Sequence, residues 1–126
     1  MLHGRIVAES LTAETVLVFP DLRLTRLQRV RVTPGPGQPG AWTLIDVAAP
    51  EETADSLAEA LSGALATEGG WYADFRVGGD HVVVFAGRIF RYRVGDEAGR
   101  QRAVDHGLSV GVPADQLDWS DFSNAS

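Results

Sequence analysis

The sequence predicts an α+β fold: a mostly antiparallel sheet of about six to seven strands packed against two helices. Three observations predict it. Short alternating or β-branched apolar runs recur along the chain, separated by glycine- and proline-rich breaks. Only two stretches, one after Pro50 and one after Asp96, combine helical spacing with an acidic first turn. The breaks between many of the runs are short, as hairpins require, whereas parallel neighbours need long crossovers.

The first half reads as strands. Residues 3–10 place Ile6 and Ala8 on one face and Arg5, Val7 and Glu9 on the other. Residues 15–19, Thr-Val-Leu-Val-Phe, form a second run, stopped by Pro20 and Asp21. Over residues 22–32, Leu22, Leu24, Val30 and Val32 share one parity, while Arg23, Thr25, Arg29 and Arg31 take the other. Leu27 breaks the pattern and predicts a bulge near Arg26 and Leu27. Residues 33–40 hold three prolines and three glycines and read as a mobile hairpin tip. Residues 41–47 are the returning strand.

Pro50 suits a first helical turn, followed by Glu51, Glu52 and Asp55 at the positive end of the dipole. Ala54, Leu57, Ala58, Leu61 and Leu65 then recur at helical spacing, with Gly69 and Gly70 as the stop. A three-stranded meander follows over residues 71–77, 81–85 and 88–94, turned at Gly78-Gly79-Asp80 and at Ala86-Gly87. Residues 81–85 are almost wholly apolar, as in a central strand covered on both faces. Asp96 is the N-cap of a second helix running to about His106, ended by Gly107 or Gly111 and weakened by an internal Gly99. Residues 112–117 read as one helical turn that lays Leu117 and Trp119 on the body, and 120–126 as a flexible tail. Both halves end in a helix after strands, which hints at a duplicated plan.

At 126 residues the chain reads as a single domain, 1–126, large enough to bury a core without disulfides or a structural metal. It has no cysteine, so disulfides, thiolate metal sites and cysteine nucleophiles are excluded. Every basic residue is arginine, which excludes Schiff-base and P-loop lysines. No targeting or membrane-spanning segment is evident, and the cytoplasm is the expected compartment. Net charge is −6. Residues 50–126 carry six arginines against 13 acids, a balance that opposes binding to a phosphate backbone. Neither a nucleic acid nor a membrane is an expected partner.

No cofactor or metal is expected: His3, His81 and His106 show no ligand spacing, and no nucleophile elbow or phosphate-binding glycine motif occurs. A helix-terminal His106 would complement the dipole. Arg23, Arg26, Arg29 and Arg31 form the one basic stretch and read as a guarded edge strand. The candidate ligand site lies on the meander, where Tyr72, Asp74 and Arg76 would share a face with Arg91 and Arg93. A phenol, an acid and several guanidiniums together suit a carboxylate or phosphate. Ordinary solvated ion pairs, worth about 0–1 kcal/mol each, are the competing explanation. A second candidate is the sheet face carrying Val83 and Ile89, which two modest helices would leave bare for a second copy of the chain.

The segments Gly70-Trp71-Tyr72-Ala73-Asp74-Phe75, residues 83–92 and residues 111–119, with Trp42-Thr43-Leu44-Ile45-Asp46 in the first half, resemble a family of small uncharacterised bacterial α+β proteins. The resemblance covers most of the chain. It implies a stand-alone domain and carries no activity. The leading functional expectation is a non-enzymatic binding protein acting through a sheet face, as a homodimer or with a protein partner or small acidic ligand. The alternatives are an acidic inhibitor, such as an immunity protein or antitoxin, and a small enzyme using Tyr72, Asp74 and Arg91.

Overall fold

The computed structural model describes residues 1–34 and 38–119. Its elements are β1 (Leu2–Val7), β2 (Arg23–Arg31), β3 (Ala41–Ala49), α1 (Ala54–Ala64), β4 (Ala73–Val77), β5 (Asp80–Phe85), β6 (Arg88–Arg93) and α2 (Glu97–Ser109). Short 3-10 turns cover Ala8–Ser10, Glu51–Thr53 and Ala114–Leu117. The strands form one sheet in the order β2-β3-β1-β4-β5-β6, and every neighbouring pair is antiparallel. The α+β fold read from the sequence is the one observed, with six strands.

β1 lies between β3 and β4 and runs antiparallel to both, so β3 and β4 run parallel to each other. α1 is the crossover that carries the chain from one to the other past β1. Its buried stripe of Ala54, Leu57, Ala58 and Leu61 packs on Leu2, Ile6, Phe75, Val82 and Val84, which defines the first face of the sheet. At Gly4, in the middle of β1, an added Cβ would sit 2.5 Å from the Phe75 Cβ, so glycine is what lets β1 and β4 close around that ring.

α2 takes the opposite face. Asp96 caps it as expected, its Oδ1 accepting from the Gly99 amide at 3.1 Å. Gly99, Ala103 and Gly107, spaced four apart, form its buried stripe. A methyl on Gly99 would meet the Tyr92 Cβ at 2.5 Å, and one on Gly107 would meet Leu117 at 2.8 Å. The glycines that weaken the helix by propensity thus bring it down onto β6 and the 114–117 turn. Val83, Phe85, Tyr92, Ala103, Val112, Leu117 and Trp119 form this second core. Residues 81–85 are fully sandwiched, as the sequence predicts, but both covers come from the chain itself. Val83 is 0% exposed beneath α2, so the bare face expected there does not exist, and Ile89 points to the first face instead.

Other expectations are revised. Residues 15–19 pair with no strand among the described residues. Leu17 and Phe19 pack on the first core while Val16 and Val18 face solvent, so the alternation is real but no neighbouring strand completes a ladder. α1 stops at Ala64 rather than near Gly69, because Leu65 turns extended and bridges Leu11. α2 runs past His106 to Ser109, and of the two expected stops it is Gly111, in the left-handed region just beyond, that ends it. The bulge in β2 falls between Leu24 and Arg26, slightly earlier than expected. The halves are not duplicates: the first is ordered β2-β3-β1, the second is a simple meander, and their helices lie on opposite faces. The tail at 120–126 and the centre of the 33–40 loop lie outside the described residues. Among the described residues, no helix is long and apolar enough to cross a membrane.

Candidate functional site

α2 and the 114–117 turn cover only the β4–β6 half of the second face. Among the described residues, nothing covers the β2–β3–β1 half. Cross-strand partners share a face, and the register therefore lays out what this open half presents. One row crosses four strands: Arg26 on β2, Asp46 on β3, Arg5 on β1 and Asp74 on β4. It is a ladder of alternating charge. Arg5 grips Asp46 with two hydrogen bonds, Nε to Oδ1 at 2.7 Å and Nη2 to Oδ2 at 3.1 Å. The Arg5 hydrogen bond, against some opposing burial, holds the Asp46 carboxyl below its usual range, and the Arg5 and Arg26 charges add to this.

On one side of the ladder the surface is apolar. Val7, Val30, Val32, Trp42 and Leu44 floor a cleft of about 330 Å³ walled by Gly70, Trp71, Tyr72 and Gln116, with Arg5 and Asp74 at its polar end. These floor residues are half-buried, and Trp42 leans on Trp71 with ring centroids 5.4 Å apart. The wall needs glycine at Gly70, where φ is +67° and a Cβ would lie 2.5 Å from the Gly111 carbonyl oxygen. On the other side of the ladder, His3, Thr25, Arg76 and Gly78 border a larger and more polar depression of about 720 Å³ that also includes Arg5, Asp46 and Asp74.

Behind Asp74 lies a buried polar chain. His81 is 0% exposed; its Nε2 lies 2.8 Å from Asp74 Oδ2 and its Nδ1 2.6 Å from the Tyr92 hydroxyl. The rings of Tyr92 and Trp119 both meet His81 edge-on at 5.2 Å. Burial, opposed by the Arg100 charge and aided by those of Asp74 and Glu97, pushes the Tyr92 phenol up to about 12, so it stays protonated. The polarity of this chain is the reverse of a hydrolytic triad, in which the nucleophile faces substrate and the acid is interior. Here the carboxylate faces the cleft and the hydroxyl is interior. The chain therefore fixes Asp74 rather than activating a nucleophile.

The residues singled out from sequence are only partly brought together. Tyr72, Asp74 and Arg76 do share the second face, along β4 and the residue before it. Arg91 and Arg93 lie on the first face, since Arg91 pairs with Val82 and Arg93 with Asp80. There Arg91 binds Asp80 at 2.8 Å and reaches Asp55 at 3.6 Å, and Arg93 approaches Asp80 at 3.9 Å. The five-residue cluster thus splits across the sheet. Tyr72 is also engaged: its hydroxyl donates to the Gln116 carbonyl at 2.6 Å, and burial with the nearby Asp74 charge raises its pKa. Among the described residues no three His, Asp or Glu side chains converge as metal ligands would. His106 does not act as a dipole-complementing cation. Its ring packs on Phe85 at 4.7 Å and Phe90 at 5.4 Å, and burial plus the Arg88 charge lowers its pKa.

Sequence reasoning missed Arg5, Val7, Trp42, Leu44, Asp46 and the role of His81. The split of the arginines was readable from turn length. A two-residue turn at Gly78-Gly79 makes Asp80 the first residue of β5, which pairs Arg76 with His81; the two-residue Ala86-Gly87 turn then pairs His81 with Tyr92. Counting Asp80 into the turn shifts the parity by one and moves Arg91 to the wrong face. The pairing of β1 with both β3 and β4 joins distant segments and leaves no local signal. Comparison of the chain with protein-family models, curated proteins and solved structures finds no match.

Proposed function

We propose that the protein is a non-enzymatic binding module whose ligand site is the open half of the second sheet face. The cleft is half apolar floor and half charged ladder, which suits a small amphipathic ligand with an apolar body and an anionic head. The body would lie on Val7, Val30, Trp42 and Leu44, and the head would meet the half-exposed Arg5 at Nη1, the nitrogen that Asp46 does not engage, with the Asp74 carboxylate opposing and so limiting the affinity. The single observation that carries this reading is the unequal cover of the second face: α2 closes one half and leaves the other half with aromatic and aliphatic side chains at the surface. A second copy of the chain on the same apolar floor is the alternative occupant, and it is where a homodimer would form now that Val83 is covered.

Anilinonaphthalene sulfonate, an aromatic anion, is a suitable probe. Saturable binding with a fluorescence increase is expected for the wild type at concentrations where it sediments as a monomer. Leu44→Glu should abolish the increase, and Arg5→Gln should weaken binding by about ten- to a hundredfold, the loss of one charge-assisted hydrogen bond. Unsaturable binding, or binding indifferent to Leu44→Glu, would refute the site. A wild type that sediments as a dimer while Leu44→Glu is monomeric would assign the floor to self-association.

A further inference from the structure

β2 ends the strand order, so among the described residues its outer backbone edge is unpaired. From Arg26 to Arg31 its register with β3 is regular, and that stretch contains no proline. Such an edge is a template for another strand. Both sheet edges are rich in arginine, with Arg23, Arg26, Arg29 and Arg31 on β2 and Arg88, Arg91 and Arg93 on β6. They differ in how that charge is used. On β6, Arg91 and Arg93 are neutralised by Asp80 and Asp55, and Arg88 lies 4.8 Å over the Phe90 ring. On β2, only Arg29 has an ion-pair partner among the described residues, Glu9 at 2.8 Å. Arg23 and Arg31 hold their charge toward solvent in a chain of net charge −6, and the exposed Arg26 shares its cross-strand neighbour Asp46 with Arg5, which grips that carboxylate directly. Beside them, Leu24 and Leu27 are 57% and 56% exposed on the first face.

Charge that merely guards an edge does not explain this asymmetry, because β6 shows that guarding arginines can be neutralised at home. We infer that the free edge of β2 accepts an extended acidic and apolar segment of a partner protein by strand addition. The register dictates the partner's pattern. Opposite Arg26 and Arg31 it needs acids, opposite Leu27 and Val30 apolar residues, and opposite Gln28 a polar one, while Arg29 is already held by Glu9. Acid at each end with an apolar residue just inside reads alike in both directions, so parallel and antiparallel addition are both served. A second copy brings to this edge only the arginine-rich β2 or β6, and neither strand holds the acids that Arg26 and Arg31 call for. This inference goes beyond the ligand cleft; the two share Val30, and variants at the other residues of each separate them.

The test uses the full chain and a fluorescein-labelled, end-capped peptide, Glu-Val-Gln-Thr-Val-Glu, followed by anisotropy at low ionic strength. Binding is expected, and it should weaken with added salt. The same peptide with alternate backbone amides N-methylated should bind about tenfold more weakly or worse, because several strand hydrogen bonds are lost. Arg26→Glu with Arg31→Glu, both exposed positions, should lose the glutamate peptide and gain its lysine counterpart. Val7→Gln, which makes the cleft floor polar two strands in from the edge and adds no charge, should leave peptide binding within about twofold, a difference near RT ln 2. Equal binding of the N-methylated peptide would reduce the edge to a charge contact and overturn strand addition. So would absence of binding to the glutamate peptide, or dimerisation that Arg26→Glu with Arg31→Glu abolishes.

Discussion

Replacing His81 by leucine removes the link between Asp74 and Tyr92 while keeping the strand apolar and filled. The structure sets the size of the loss. His81 is fully buried and both ring nitrogens are engaged, at 2.8 Å to Asp74 and 2.6 Å to Tyr92. A hydrogen bond to a charged group contributes about 1.5–3 kcal/mol and a neutral one about 0.5–1.5 kcal/mol. Leucine regains part of this by apolar burial, so a net destabilisation of about 2–4 kcal/mol is expected. The measurement is urea unfolding at neutral pH, read as a fall in midpoint at unchanged m. Tyr92→Phe supplies the internal control. Alone it should cost about 0.5–1.5 kcal/mol, but in the His81→Leu background it should be neutral or stabilising, because it then deletes an orphaned buried hydroxyl. A loss under about 1 kcal/mol for His81→Leu, or additive effects in the double variant, would refute the buried chain as the support of Asp74.

Two further outcomes follow from α2. Gly99→Ala should destabilise despite alanine's advantage of about 1 kcal/mol inside a helix, since the methyl would drive into Tyr92 and overpacking costs about 1–3 kcal/mol; a gain in melting temperature would contradict the close helix–sheet contact. His106 has its folded pKa lowered by burial and by Arg88, so below about pH 6.5 the unfolded chain takes up the proton more readily and stability falls with pH. His106→Leu should therefore lose less stability than wild type between about pH 7 and 5, and parallel urea midpoints across that range would refute the assignment.

The elements were legible in the sequence because each carries a local signature. The acidic first turn and apolar stripe of 54–64, the Asp96 cap and the glycine turns of the meander all act within a few residues. What escaped were decisions made at a distance. Residues 15–19 have strand chemistry, yet burying Leu17 and Phe19 against the first core satisfies them without a ladder. Gly99 and Gly107 look like flaws until Tyr92 and Leu117 are seen beneath them. The candidate site suffered most. Arg5, Asp46 and Asp74 lie far apart in the chain and meet only because β1 sits between β3 and β4. The choice of opposite faces for α1 and α2 decides which half of the sheet is open, and neither helix announces its face in sequence.

The central claim is that the second sheet face is half closed and half available to a ligand. Chemical-shift mapping of the isotopically labelled protein during titration with anilinonaphthalene sulfonate tests it directly. Shifts confined to Arg5, Val7, Val30, Trp42 and Leu44 are expected, with Val83, Ala103 and Phe85 silent beneath α2. Shifts centred on β6 and α2, or none above those of a Leu44→Glu control, would contradict it.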